Sequence, residues 1–245
     1  MDSGRRCERP ASPGRRRLVR GTMAMIGLAA CGGLAPASGP AAAAEGPRTT
    51  LTPDEALALL KQGNDAFVTE APYRRAEGRE RRIDIAAAQH PFAVLVGCSD
   101  SRVPPELLFG RGLGELFIVR VAGNTVDQLA LGSIEYAVAE LGVPLVVVLG
   151  HERCGAVAAA VEMVEKGARF PGAIGAVVEP ILPSVLSARE QPGDLLDNAV
   201  RENVRRVVAR LSHAGPILGE PMSAGRLKIV GARYDLDDGD VEFFD

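Results

Sequence analysis

The chain has 245 residues, 47% of them hydrophobic, and a net charge of −3. That is enough to bury a sizeable core in one domain, and beyond residue 44 there is no basic run of the kind nucleic acid requires. With no Trp and 4% aromatic residues, base-stacking platforms and aromatic strips for carbohydrate are set aside as well.

The first 44 residues read as an export signal and linker. A basic opening leads into a short, weakly apolar stretch from Thr22 to Ala30, then small residues and Pro, too short and too rich in Gly and Ala for a membrane span. The run Arg15-Arg16-Arg17-Leu18-Val19-Arg20 resembles the twin-arginine signal of proteins exported already folded. Two cleavage points fit. One follows Ala30, where "LAAC" resembles a lipobox that would put a lipid anchor on Cys31; the other follows Ala44, an A-x-A site. Either one places the domain of residues 45–245 in a periplasmic or other extracytoplasmic space; the plainer alternative is a cytoplasmic extension, since Arg pairs often occur by chance. Cutting after Ala44 removes seven Arg and two acidic residues, which takes the net charge from −3 to −8. It also leaves two of the four cysteines, Cys98 and Cys154, as one disulfide or as two metal ligands loaded before export.

Thr52 to Phe67 opens the domain as a helix, with an N-cap Thr, Pro at the first helical position, acids in the first turn and an apolar stripe. Residues 73–89 are polar, then Ala-rich, and take no assignment. Pro91 to Gly97 is a short apolar run ending in Gly, the pattern of a strand buried on both faces. Gly114 to Asn124 forms a second strand, Asp127 to Val143 an apolar-periodic helix and Pro144 to Gly150 a third buried strand. A turn feeding a helix follows over His151 to Gly167, then helices at Ile174 to Arg189 and Asp194 to Ser212. The chain closes in a hairpin turning at Asp237-Asp238-Gly239. Strands alternating with helices, the central ones wholly apolar, give an α/β fold: a single domain with a mainly parallel central sheet flanked by helices, plus a C-terminal hairpin.

Two strands end alike. In "VLVGCSD" and "VVLGHERC", Cys98 and His151 each follow a buried run closed by Gly, and sites in open α/β sheets form outside the carboxyl ends of the strands. His151 and Cys154 are spaced H-x-x-C on a turn entering a helix. Two thiolates and an imidazole suit tetrahedral zinc, with the fourth place open to water or held by Asp100. The helix N-terminus favours the Cys154 thiolate, and Asp100 and Arg102 can pair on one loop. Singly, each has a plainer role: Cys98 as core filler, His151 as a loop histidine, Asp100 and Arg102 as a surface ion pair. Their shared context argues for a site.

The stretches "CSDSRVPPE", "GLGELFIVRVAGN", "LGSIEYAVAELGVPLVVVLGHERCGAV" and "IVGARYDLDDGDV" resemble the β-class carbonic anhydrases, over about residues 50–245. The motifs C-x-D-x-R and H-x-x-C, with 53 positions from Cys98 to His151, are specific as a pair. The resemblance implies reversible hydration of carbon dioxide to bicarbonate and a proton, with one zinc per chain on Cys98, His151 and Cys154. It further implies a catalytic dyad in which Arg102 holds Asp100, and Asp100 orients a zinc hydroxide. Gln89 falls on a substrate-orienting glutamine, and Phe117 and Tyr136 on positions lining the CO2 cleft, the Tyr reaching across a dimer interface. Gly155 falls where a backbone N–H meets a substrate oxygen. The implied assembly is a homo-oligomer, a dimer or a tetramer of dimers. A regulated branch of the family binds bicarbonate in a Trp-containing pocket, which a chain without Trp lacks in its usual form. Three rival readings remain at this point: CS2 or COS hydrolysis on the same fold, an exported zinc carrier in which Asp100 and Arg102 are idle, and an exchanging dithiol of Cys98 and Cys154.

Overall fold

The structure, a computed structural model, describes residues 48–71 and 77–244, which fall within one compact unit. The expected export signal, its two cleavage points and Cys31 lie outside the described residues, as does part of the unassigned segment, residues 72–76. Helix α1 (Pro53–Val68) starts where its cap dictates. The Thr52 hydroxyl accepts the Glu55 N–H at 3.3 Å and the Glu55 carboxylate accepts the Thr52 N–H at 2.8 Å, a reciprocal capping box that satisfies two otherwise unpaired donors.

The rest of the chain runs α2 (Arg79–Asp84), β1 (Ala93–Gly97), α3 (Pro105–Leu108), β2 (Leu116–Arg120), α4 (Gln128–Ala139), β3 (Leu145–His151), α5 (Gly155–Lys166), α6 (Ile174–Val178), α7 (Leu182–Ala188), α8 (Leu195–Ser212), α9 (Pro216–Ser223), β4 (Lys228–Tyr234) and β5 (Val241–Phe244). The sheet order is β2-β1-β3-β4-β5. Strands β2, β1, β3 and β4 are parallel, and β5 turns back antiparallel on β4. The expected fold class is therefore the observed one.

Period-two alternation explains why the central strands are apolar throughout. Val94, Val96, Val146 and Val148 face Ile134 of α4 and Val204, Val207 and Leu211 of α8. Ala93, Leu95, Val147 and Leu149 face Ala56 and Leu60 of α1 and Leu108 of α3. With both faces covered, no strand position of β1 or β3 is exposed, as a parallel sheet requires.

The chain leaves β1 toward β2 on one side and leaves β3 toward β4 on the other. Such a switch point opens a crevice at the carboxyl ends of the two strands. The register pairs Gly97 with Leu149, so Cys98, one residue past β1, and His151, at the end of β3, emerge side by side.

Four elements differ from expectation, one of them the short helix α3 between the first two strands, where none was expected. The helix expected over 174–189 breaks into α6, a 3-10 turn at Glu179–Ile181 and α7, because Pro180 and Pro183 each remove a backbone donor. The second strand stops at Arg120 rather than Asn124, since the turn Ala122–Asn124 puts Gly123 at φ 69° and Asn124 at φ 44°. Helix α9, between Gly215 and Gly225, was unforeseen in a stretch rich in Pro and Gly.

Candidate metal centre and active site

Cys98, His151 and Cys154 are buried, and their ligand atoms all lie within 4.8 Å of one another. The two sulfurs are 3.9 Å apart and both thiols are free. That spacing matches the edge of a tetrahedron with metal–sulfur bonds of about 2.3 Å, which is about 3.8 Å. His151 completes the set. Its Nδ1 sits 2.9 Å from the Glu152 carbonyl oxygen, which can only accept, so Nδ1 carries the proton and Nε2 presents its lone pair. Among the described residues that buried Nε2 has no hydrogen-bond partner, an orphan whose desolvation a metal ion would offset. Two thiols and an imidazole with an inward lone pair fit zinc.

The charge on the sulfurs follows from their contacts. The hydrogen bond from Cys154 is the largest influence on Cys98; with it and the Gly123 N–H, 3.2 Å from the sulfur, the Cys98 thiol is pulled well below its ordinary value. The same Cys154–Cys98 bond, together with burial, pushes Cys154 up. Cys154 is also the N-cap of α5, where the positive end of the helix dipole favours a thiolate.

Local backbone sets this geometry. Between His151 and Cys154 the chain turns through Arg153 at φ 51°, a left-handed conformation that costs a non-Gly residue about 1 kcal/mol. The bidentate Arg153–Asp237 pair, at 2.9 and 2.7 Å, holds it against the β4–β5 hairpin. On the other loop, Arg120 at the end of β2 donates to the carbonyls of Cys98 and Asp100.

Asp100 is held by Arg102 through three bonds: Nε to Oδ1 at 3.0 Å, Nη2 to Oδ2 at 2.8 Å and the backbone N–H to Oδ1 at 2.9 Å. The Arg102 guanidinium holds the carboxyl well below the usual carboxylate range. Asp100 Oδ2 lies 3.8 Å from His151 Nε2, and the Arg102 guanidinium also reaches the Arg153 carbonyl, at 3.5 Å.

A sequence model described as carbonic anhydrase matches residues 93–241. Carbonic anhydrase 2 of Mycobacterium tuberculosis is 44% identical over 187 residues, covering 76% of this chain and 90% of its own. The carbonic anhydrase of Mycolicibacterium smegmatis is 43% identical, covering 78% and 92%. Among solved structures, a tetrameric β-carbonic anhydrase of the ascomycete Sordaria macrospora aligns with a TM-score of 0.59 at 27% identity, covering 66% of this chain and 84% of that one. A β-carbonic anhydrase of Aspergillus fumigatus gives 0.59 at 28%, covering 78% and 90%. The chain belongs to the β-class carbonic anhydrases.

It is accordingly a lyase, a carbonate dehydratase. The anhydrase structure gathers Cys98, Asp100, Arg102, His151 and Cys154 in one crevice, with Gly155 beside them as the first residue of α5. Asp100, expected also as a metal ligand, is outside the group of converging ligand atoms and engaged with Arg102. Gln89 is exposed in the loop entering β1. Phe117 sits half-buried on β2, paired with Val94. Tyr136 is 48% exposed on α4. Sequence reasoning missed Arg120, Asp237 and the Gly123 N–H; an arginine ending the apolar run "LFIV" was the one visible signal.

Proposed function

We propose that this chain hydrates carbon dioxide reversibly to bicarbonate and a proton, using one zinc ion per chain held by Cys98, His151 and Cys154, and that it does so outside the cytoplasm. Family membership supports the reaction. The observation that carries the roles is Asp100, held in a bidentate pair by Arg102 with Oδ2 only 3.8 Å from His151 Nε2.

Zinc bound at the Cys-His-Cys set supplies the Lewis acidity that lets water lose a proton near neutral pH. Asp100 accepts the hydrogen bond of the attacking oxygen and so turns its lone pair toward the carbon. Arg102 keeps that carboxylate ionised and fixed; Asp100 serves as acceptor rather than as fourth ligand. Opposite, the Gly155 N–H donates to the CO2 oxygen on which charge develops. As the first residue of α5, Gly155 has an N–H with no partner inside the helix. Within one chain Gln89 and Phe117 stand at the amino ends of β1 and β2, away from the metal set. A second donor from the Gln89 amide, and a cleft wall of Phe117 and Tyr136, apolar and suited to a non-polar substrate, therefore come from a partner subunit. One water and one CO2 become one bicarbonate, and the proton passes to buffer.

The enzyme works as a homo-oligomer, a dimer or a tetramer of dimers. Leu129, 81% exposed, and Tyr136 project from one face of α4, spaced i, i+7 around Gly132 and Ser133, which suits a second copy. The signal within residues 1–44 directs export, with a lipid anchor on Cys31 if cleavage follows Ala30.

The test is stopped-flow CO2 hydration with zinc counted on the same sample, for the wild type and Asp100→Ala. One zinc per chain in both, with hydration reduced about 10²–10⁴-fold in the variant, is the expected result. Zinc without hydration between about pH 7 and 9 would redirect the assignment to CS2 or COS, and a chain without zinc to dithiol exchange.

A further inference from the structure

The Cys98 sulfur accepts the Gly123 N–H at 3.2 Å, yet Gly123 has no side chain by which to be held. Its backbone is pinned elsewhere. The Asn203 amide, on α8, donates from Nδ2 to the Gly123 carbonyl at 2.8 Å, and its Oδ1 accepts the Ser184 hydroxyl, from α7, at 3.4 Å. Both side chains are buried, Ser184 at 0% and Asn203 at 2% exposure.

At position 123 of this turn, conformation and space both favour Gly. Gly123 adopts φ 69°, and a Cβ there would come within 2.6 Å of Ile181 Cδ1 and 3.1 Å of Ala156 Cβ. Asn203 itself stands among Ala199, Val200, Val204 and Val207 on the buried face of α8. An apolar residue would fill that place at no polar cost, whereas an amide is tolerated there because both its ends are bonded.

We infer that Asn203 is a positioning residue for the metal centre: through the Gly123 backbone it aims the N–H that the Cys98 sulfur accepts. The inference rests on the zinc reading above. A hydrogen bond to a ligating thiolate sets its orientation and its donor strength, and losing such a support costs about 10–100-fold in metal affinity. Ser184 acts one step further out by orienting the amide.

The experiment uses the full chain as wild type, Asn203→Leu, Ser184→Ala and a packing control, Val207→Ala, on the same helix. Zinc release to excess chelator is timed, the sulfur-to-cobalt charge-transfer band is recorded on cobalt-loaded protein, and Tm is measured for each. Expected are zinc release about 10–100-fold faster in Asn203→Leu with the band moved to lower energy, and a smaller change of the same sign in Ser184→Ala. Val207→Ala should lower Tm and move neither. Release from Asn203→Leu at the wild-type rate, or no faster than from Val207→Ala, overturns the inference. Should Asn203→Leu fail to fold, Ser184→Ala decides, and a wild-type rate there overturns it equally. A wild type that holds no zinc sinks the metal-centre reading itself, a result distinct from either.

Discussion

Asp100 Oδ2 lies 2.8 Å from Arg102 Nη2 and 3.8 Å from His151 Nε2, so one carboxylate oxygen stands between the guanidinium that holds it and the imidazole that faces the metal position. Only a planar fork can bond both carboxylate oxygens at once. Lys in place of Arg102 keeps the charge and loses the second bond. Arg102→Lys should therefore retain its zinc and lose about 10²-fold in kcat, the scale of one misdirected catalytic hydrogen bond. Stopped-flow hydration with zinc counted in parallel checks this; activity within twofold of wild type would remove Arg102 from the mechanism.

Gly155 allows the backbone donor to be removed without disturbing the fold. It is the first residue of α5, where Pro is accepted because that N–H has no helical partner. The preceding Cys154 already has φ −67° and ψ 120°, the extended conformation that a following Pro imposes. Gly155→Pro should fold, bind zinc and lose about 10²-fold in kcat through the missing donor. An unaltered kcat in a folded, zinc-loaded variant would take the Gly155 N–H out of the reaction.

Much of this site was legible because its ligands follow buried runs. Cys98 and His151 come at the ends of β1 and β3, which period-two burial and flanking Gly identify, and H-x-x-C fixes Cys154. The supports were not legible, because they depend on tertiary register. Arg120 reads as the polar end of an edge strand until the loop carbonyls of Cys98 and Asp100 are seen folding over it. Asn203 reads as one more polar residue on an amphipathic helix, and Asp237 as a hairpin turn residue. The break after Val178 needed no tertiary information, since Pro180 and Pro183 were in plain view, yet apolar periodicity outweighed them.

Arg120 makes a further case. Its side chain is half-buried and donates to two carbonyls that are not part of any helix or strand. Arg120→Met keeps the volume and apolar stem and removes both bonds, leaving the two acceptors short of a charged donor at a cost of about 2 kcal/mol. Urea unfolding should report that loss, and hydration should fall along with it because the Cys98–Asp100 loop is released. A variant as stable as the wild type would show that the loop needs no such support.

Acid should weaken the latch between α8 and the end of the sheet. Burial pushes the Asp197 carboxyl up, but bonds from Arg201 at 2.8 Å and Arg233 at 2.6 Å outweigh it, so its folded value is lowered. A depressed carboxylate stabilises above its unfolded value of about 3.9 and loses that contribution as pH falls toward the folded value. With Asp197 partly exposed, screening limits the effect to about 1 kcal/mol. In urea at pH 6.5 the wild type should exceed Asp197→Asn by that amount, and the gap should shrink by about pH 3.5. A gap constant across that range would assign the difference to packing rather than charge.

The subunit contact proposed on α4 can be broken without touching the metal set. Leu129 is 81% exposed, Tyr136 lies seven residues on at 48%, and a Cβ on Gly132 between them would meet nothing within 4 Å. A face that is apolar at both ends and flat in the middle loses contact area when it meets solvent, and a charge at its most exposed point adds desolvation cost to any contact. Leu129→Asp should shift sedimentation from oligomer toward single chains that keep the wild-type circular dichroism, since nothing in the core depends on that side chain, and Tm should fall only by what association contributes. On the proposed role of Tyr136 as a cleft wall supplied by a partner, hydration should fall together with the oligomer. If single chains of Leu129→Asp retain full kcat, the cleft is complete within one chain and Tyr136 has no part in it.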